Sequence, residues 1–276
     1  RETGDKRGEV SALGNLSFAH QNLGQSQQAI DFNEQATELL REINNRSGEN
    51  VSPDNLVLAQ SASSTVNESE LRILEALLLS EQGTQKFSTS QFEDALISWR
   101  AALNIYREIG DRDKEVTALI DIGFTHNSLG QYQQAINIYI QGLTVSREIN
   151  DRAGEAALLG NLGIAYKNLG QYQQAINLYE EALTIIQEYG VDRSRDAAAL
   201  SNLGVVYDLL GQYQRAINLY EQILIISREV GDREMEASTL GNLGISHKNL
   251  GQHQQAINLY EQQLAIAREI NNRFIE

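Results

Sequence analysis

Residues 168–183, NLGQYQQAINLYEEAL, return almost unchanged at 249–264 as NLGQHQQAINLYEQQL, with close variants at 129–143 (LGQYQQAINIYIQGL) and 210–224 (LGQYQRAINLYEQIL). Self-similarity at a fixed period is the signature of a repeat array and takes precedence over domain counting by length. The glycine of each LGQ phrase marks the register at Gly24, Gly130, Gly170, Gly211 and Gly251, so the later spacings are 40, 41 and 40. One period before Gly130 stands Ser90, inside a degenerate unit where Phe92, Ala95 and Trp99 replace Tyr132, Ala135 and Tyr139.

Each unit carries two helical patterns. In the fourth, Leu159, Leu162, Tyr166 and Leu169 fall on one helical stripe, and Ile176, Tyr179, Leu183 and Ile186 form a second after Gly170. The unit is therefore a helical hairpin. Gly110 and Gly231 are placed to end helices, Asp111, Asp151 and Asp232 to cap the next ones, and Glu115, Glu155 and Glu236 to complement the first-turn dipole. Small residues recur at Gly123, Gly163, Gly204 and Gly244 in the first helix and at Ala95, Ala135, Ala175, Ala216 and Ala256 in the second. A mid-helix glycine costs about 1 kcal/mol relative to alanine, so its recurrence needs close helix approach as compensation.

The small residue, the LG turn and the aromatic–alanine–aromatic second helix resemble the tetratricopeptide repeat. The LGNLGIAYKNLGQYQQAINLYEEAL wording and 40-residue period are similar to the extended repeats of cyanobacterial arrays, some joined to CHAT protease-like domains, and of the kinesin light chain and Pins-type groups. This resemblance implies an all-α, right-handed superhelical solenoid, with the first helix of each unit inside. Residues 1–46 form the first unit, 47–70 an insert that is mostly loop, and 71–276 units two to six of one continuous solenoid. Within the insert, Ser52 and Pro53 are placed to open a short helix, and Asn67 with Glu70 resembles a capping box. Both termini stop in the phase of a helix junction and show no polar cap, so the chain is expected to be part of a longer array or to pair end to end as a homo-oligomer.

Composition narrows the function classes. With 37 acidic against 22 basic residues the net charge is −15, which disfavours nucleic acid and anionic membrane surfaces and favours a neutral or basic protein or peptide partner. No cysteine is present, and no apolar run approaches the roughly 20 residues that span a bilayer. A cytoplasmic location is expected. His126, His247 and His20 share the column of Tyr166 and Tyr207, His253 replaces Tyr172, and none has a ligand partner at metal spacing. They are expected to be packing histidines. The sequence holds no GxxxxGK[ST], GxSxG or HExxH, and turns and close contacts account for its glycines, so neither enzyme activity nor a cofactor is expected.

A binding face remains. On the first helices, opposite the packing stripe, lie Asn15, Asp121, Asn161, Asn202 and Asn242; beside them Phe18, Phe124, Ile164, Val205 and Ile245; then Asn22, Ser128, Asn168, Leu209 and Asn249. An asparagine amide donates and accepts at once and so suits a peptide backbone, while the apolar column takes side chains. Lys167, Asp208 and Lys248 would set charge preference at the rim. The resemblance implies the same use, since extended repeats of this kind grip bound peptide with an inner asparagine column. The alternative is that these asparagines bridge neighbouring helices. Gly160, Ser201 and Gly241 stand where chaperone-tail binders need lysine, which disfavours that ligand. A protein-interaction scaffold is the leading function; a sensor array of a larger signalling protein and a self-assembling array are its alternatives.

Overall fold

The computed structural model describes residues 68–189 and 193–273, with a few isolated positions between 13 and 38. Asn15, Phe18, His20, Asn22, Ser52, Pro53 and Asn67, and with them most of the first unit and of the insert, lie outside the described residues. Among the described residues from 68 onward, ten helices follow one another: α1 (Glu68–Ser88), α2 (Phe92–Ile109), α3 (Arg112–Ser128), α4 (Tyr132–Glu148), α5 (Arg152–Asn168), α6 (Tyr172–Glu188), α7 (Arg193–Leu209), α8 (Tyr213–Val230), α9 (Arg233–Asn249) and α10 (His253–Arg273). No strand occurs among the described residues. The chain divides into two compact units, 1–125 and 126–276, with the boundary inside α3.

The repeated phrase builds the turns. After α5, Gly170 adopts φ 74° and its N–H donates to the Lys167 carbonyl at 2.9 Å, while Gln171 N–H reaches back to the Tyr166 carbonyl at 2.9 Å. This left-handed cap satisfies carbonyls that the helix end would leave unpaired. Gly130, Gly211 and Gly251 repeat it, and Ser90 takes the same place at φ 61°. In the other turn, between a second helix and the next first helix, Gly110 and Gly231 are left-handed and Asn150, at φ 58°, stands in for glycine. Asparagine tolerates that region better than most side chains. The capping aspartates then act as expected: Asp111, Asp151 and Asp232 each accept from a backbone N–H three residues on, at 3.0, 2.9 and 2.9 Å.

In the first unit the degenerate spelling still packs. Trp99 of α2 lies across Gly83 of α1, where an added Cβ would sit 2.5 Å from Trp99 Nε1, and its indole N–H donates to the Ser80 carbonyl at 3.1 Å. Phe87 gathers Phe92, Trp99 and Phe124 at centroid distances of 5.1, 5.9 and 5.4 Å.

In the second unit α4 to α10 pack in chain order, each on the next. The second-helix tyrosines form the spine: Tyr179 and Tyr220 are fully buried, each worth about 2–3 kcal/mol in transfer from water. Each lies over a first-helix glycine. A Cβ on Gly163 would fall 2.5 Å from Tyr179 Cε1, and one on Gly204 would fall 2.6 Å from Tyr220 Cε1. Close approach therefore accounts for these recurring glycines.

Two expectations need correction. Leu169 does not belong to the packing stripe: it is 40% exposed, as are its counterparts Leu210 and Leu250 at 40% and 39%. These residues follow the last helical turn, where the chain already swings away, and the buried stripe of α5 is Leu158, Leu159, Leu162 and Ala165. The other concerns Gly160, which neither turns the chain nor makes a close contact, since an added Cβ there would meet nothing within 4 Å. Open space, not crowding, surrounds it. On α10, Ile257 and Leu264 are 48% and 49% exposed, although the matching Ile136, Ile176, Ile217 and Leu143 are buried by the helix that follows them.

Candidate functional site

Asn161, Asn202 and Asn242 occupy one position on α5, α7 and α9, and all three are half-buried. None of their side-chain amides takes part in a hydrogen bond of the described structure. The amide bridge between neighbouring first helices is made elsewhere: Asn168 Nδ2 donates to Asn127 Oδ1 at 3.2 Å. Asn249 is exposed.

The apolar column is uneven. Ile245 is 43% exposed, Val205 is half-buried, and Phe124, in the first unit, packs on Phe87. Ile164 turns partly inward against Ala175, Ile176, Tyr179, Leu203 and Val206. Part of that cover comes from the next first helix, α7, through Leu203 and Val206.

The rim residues differ in the same way. Lys248 is exposed and Lys167 half-buried. Asp208 is taken up internally: it accepts from Ser246 Oγ at 2.8 and 3.0 Å and from Tyr220 Oη at 3.1 Å. Burial pushes its carboxyl up from the ordinary value, and these hydrogen bonds only partly oppose that.

Asp121, in the first unit, occupies the asparagine column, and burial raises its carboxyl from 3.8 to about 6. An acid with a raised native pKa destabilises the fold when ionised. The penalty is full above about 6 and vanishes below its ordinary value of 3.8. Asp121→Asn, which completes the column, is expected to stabilise the protein at pH 7 by about 1 kcal/mol after allowance for its partial exposure. Denaturant titrations of the two proteins should converge near pH 4; a gap that widens on acidification would contradict this assignment.

Sequence reading gave Glu115, Glu155 and Glu236 too small a role. Each is buried and clasped by two arginines, one from the end of the preceding helix and one three residues upstream. Arg107 and Arg112 meet Glu115 at 2.7 and 2.6 Å, Arg147 and Arg152 meet Glu155 at 2.6 and 2.7 Å, and Arg228 meets Glu236 at 2.7 Å with Arg233 closing the third clasp. Arg147 continues to Glu181 at 2.8 Å and Arg233 to Glu269 at 2.7 Å. The signal lay in the constant Arg-x₇-Glu and Arg-x₂-Glu spacings of segments such as REINDRAGE.

Of the described histidines, His126 and His247 do local work, whereas His253 is exposed and is not the packing residue expected. His126 Nδ1 lies 2.6 Å from Gln131 Oε1 and His247 Nδ1 2.5 Å from Gln252 Oε1, each tying a first helix to the turn after it. Among the described residues no group of three His, Asp or Glu could hold a metal ion, and no helix is long and apolar enough to cross a membrane. Two cavities open between first helices. One of about 290 Å³ lies in the first unit beside Ser80, Glu81, Tyr106 and Lys114. The other, about 310 Å³, lies in the second unit between α5, α6 and α7, with Asn202 on its wall.

The family model described as tetratricopeptide repeat matches residues 74–148, 154–229 and 196–269, more than half of the chain. A model for anaphase-promoting complex subunit 5 matches residues 5–57. No curated protein matches the chain. Among solved structures, BtubC (BKLC) from P. vanneervenii is 19% identical, with 97% of this chain and 93% of that chain covered and a TM-score of 0.64. A putative kinesin light chain from Podospora anserina with nearly identical repeats is 22% identical, with 75% and 99% covered and a TM-score of 0.61. A signal transduction ATPase with numerous domains from Pyrococcus horikoshii, which carries a repeat sensor of this type, is 16% identical, with 98% of this chain but 39% of that chain covered and a TM-score of 0.72. At these identities the likeness concerns the fold.

Proposed function

The chain belongs to the tetratricopeptide repeat family, and from that premise we propose that it is a protein-interaction scaffold whose first helices hold an extended segment of a partner along Asn161, Asn202 and Asn242. The observation that carries this reading is the state of those three amides. They recur once per repeat, are half-buried, and take no part in the hydrogen bonds of the fold. A side-chain amide offers two donors and an acceptor, which matches the alternating groups of an extended backbone. Val205 and Ile245 beside them offer apolar contact to side chains, and Lys167 and Lys248 set the charge at the rim. A net charge of −15 favours a neutral or basic partner.

Replacing Asn161, Asn202 and Asn242 together by alanine tests the reading. Capture of peptides from a displayed random library, and of a partner from cell lysate identified by mass spectrometry, should weaken about 100-fold for three lost hydrogen-bonding residues. Far-UV circular dichroism should stay unchanged. Undiminished capture by the triple variant would refute the groove. A second reading draws on the likeness to the repeat sensor of the signal transduction ATPase: the array senses a bound segment and passes the change to an effector domain of the same polypeptide. An effector domain in the full reading frame would support it.

A further inference from the structure

The three junctions between hairpins in the second unit, α4–α5, α6–α7 and α8–α9, are not equal. At the first, Gly142 of α4 faces Leu158 of α5, and a Cβ on Gly142 would lie 2.7 Å from Leu158 Cδ2. The leucine fills the space. At the same positions of α6–α7 stand Ala182 and Ala199, and there the cavity of about 310 Å³ opens between α5, α6 and α7. Ile223 and Thr239 restore bulk at α8–α9. Of the three pairs, α6 and α7 pack together least extensively.

The side chains that fasten the neighbouring hairpins have no like counterparts here. Arg147 of α4 reaches Glu155 of α5 at 2.6 Å and Glu181 of α6 at 2.8 Å, and Arg228 repeats the nearer link at α8–α9, meeting Glu236 at 2.7 Å. At α6–α7 the cation is lost: Gln187 stands for Arg147 and Gln222 for Glu181, and the Gln222 amide donates to the Asn218 carbonyl of its own helix at 3.2 Å. No ion pair can join them. Asn168 on α5 donates to Asn127 of α3, but the counterpart of Asn168 on α7 is Leu209, which has nothing to donate. Asp208 on α7 accepts from Ser246 of α9, but the matching residues on α5 and α7 are Lys167 and Val206. Valine ends that link.

Apolar contact remains, with Ile176 and Tyr179 of α6 against Leu203 and Val206 of α7. Such burial is non-directional, so it keeps two helices together without fixing their angle as an ion pair or hydrogen bond does. The connection is also longer. Whereas α4 ends at Glu148 and α5 starts at Arg152, α6 ends at Glu188 and α7 starts at Arg193, one residue beyond that spacing.

We infer that α6–α7 is the bending joint of the second unit, about which α4–α6 and α7–α10 turn as two stiffer bodies. Asn161 lies on one side and Asn202 with Asn242 on the other, so bending changes the first spacing of the amide ladder and keeps the second. Its use, to fit the groove to an occupant, rests on the groove reading; the joint itself does not.

Nitroxide pairs at exposed positions of the second helices read the joint directly, and a chain without cysteine can be labelled selectively. Gln173→Cys/Gln214→Cys spans the joint, while Gln133→Cys/Gln173→Cys and Gln214→Cys/Gln254→Cys span the fastened junctions. Dipolar electron paramagnetic resonance should give a wider distance distribution for the first pair than for either control. The variant Gln187→Arg/Asp196→Glu/Gln222→Glu copies the links of Arg147 into the joint; it should narrow the 173–214 distribution to the control width and slow amide exchange in α6 and α7 about fivefold. The reverse variant, Arg147→Gln/Glu181→Gln, should broaden the 133–173 distribution, and it decides the matter if the triple charge variant does not fold. Equal widths for the three pairs would overturn the joint, and so would widths that neither variant moves. A peptide selected from the displayed library should narrow the 173–214 distribution on binding; an unchanged width would overturn the fitting role. A wide 173–214 distribution with capture that survives the triple asparagine variant would refute the groove and leave the joint. Equal widths with capture that this variant loses would refute the joint and leave the groove.

Discussion

Gly163→Leu is expected to cost about 3 kcal/mol or more and to lower the thermal midpoint by several degrees. The position has no room: a Cβ alone would lie 2.5 Å from Tyr179 Cε1 and 2.8 Å from Cδ1. The ring cannot retreat easily, because Tyr179 is fully buried among Ala175, Ile176, Leu203 and Val206. Leucine gains about 1 kcal/mol over glycine in helix propensity, but overpacking of a filled interior costs about 1–3 kcal/mol even for smaller additions. The net sign is therefore destabilising, and separation of α5 from α6 should show as faster amide exchange in both helices. Gly160→Leu, three residues away, is the control, since a Cβ there meets nothing within 4 Å and should be tolerated. Equal midpoints for Gly163→Leu and wild type would remove close helix approach as the reason for the recurring glycine.

Glu155→Ala is the second large effect, expected to cost about 2 kcal/mol. It leaves Arg147 and Arg152 converging on one point with no anion between them. Breaking a wholly buried pair costs about 3–5 kcal/mol; here the arginines are about half exposed, and solvent reduces the loss. Burial alone would raise the Glu155 carboxyl, but the hydrogen bonds and charges of Arg147 and Arg152 outweigh it and hold the carboxyl below its ordinary value. A lowered native pKa means that the clasp stabilises fully above the ordinary carboxylate range and loses its effect as pH falls through the lowered native value. Wild type and Glu155→Ala should thus differ most near neutrality and approach one another in strong acid. This trend is opposite to that of Asp121, whose ionised form is the unfavourable one. A constant difference across the whole range would mean that packing, not charge, explains the glutamate.

The fold was legible because packing requirements recur at a fixed spacing. Gly170 turns the chain, Gly163 admits a ring and Tyr179 supplies it, and these demands return in every unit, so periodicity alone revealed the hairpins. Leu169 was misplaced because helical periodicity knows nothing of where the helix stops. The glutamate clasps were visible only in part: Glu155 stood at a first turn, which suggested a dipole role, but its two arginines come from different helices and meet only after the turn closes. The candidate site was less legible still. That Asn161 is left without an internal partner while Asn168 bridges to Asn127 depends on side-chain reach, since both are spelled with the same letter. The void beside Tyr179 depends on Ala182 and Ala199 at once, and neither alanine is unusual alone.

The glycine–tyrosine contacts lie within a hairpin, Gly163 on α5 and Tyr179 on α6, whereas the contacts that fill or empty a cavity lie between hairpins, as with Gly142 and Leu158. Closure of a unit and packing between units thus draw on different columns of residues. A lineage could widen or plug one junction by exchanging a leucine for an alanine and leave every hairpin shut. Such an array can reshape one junction while its hairpins keep their own contacts.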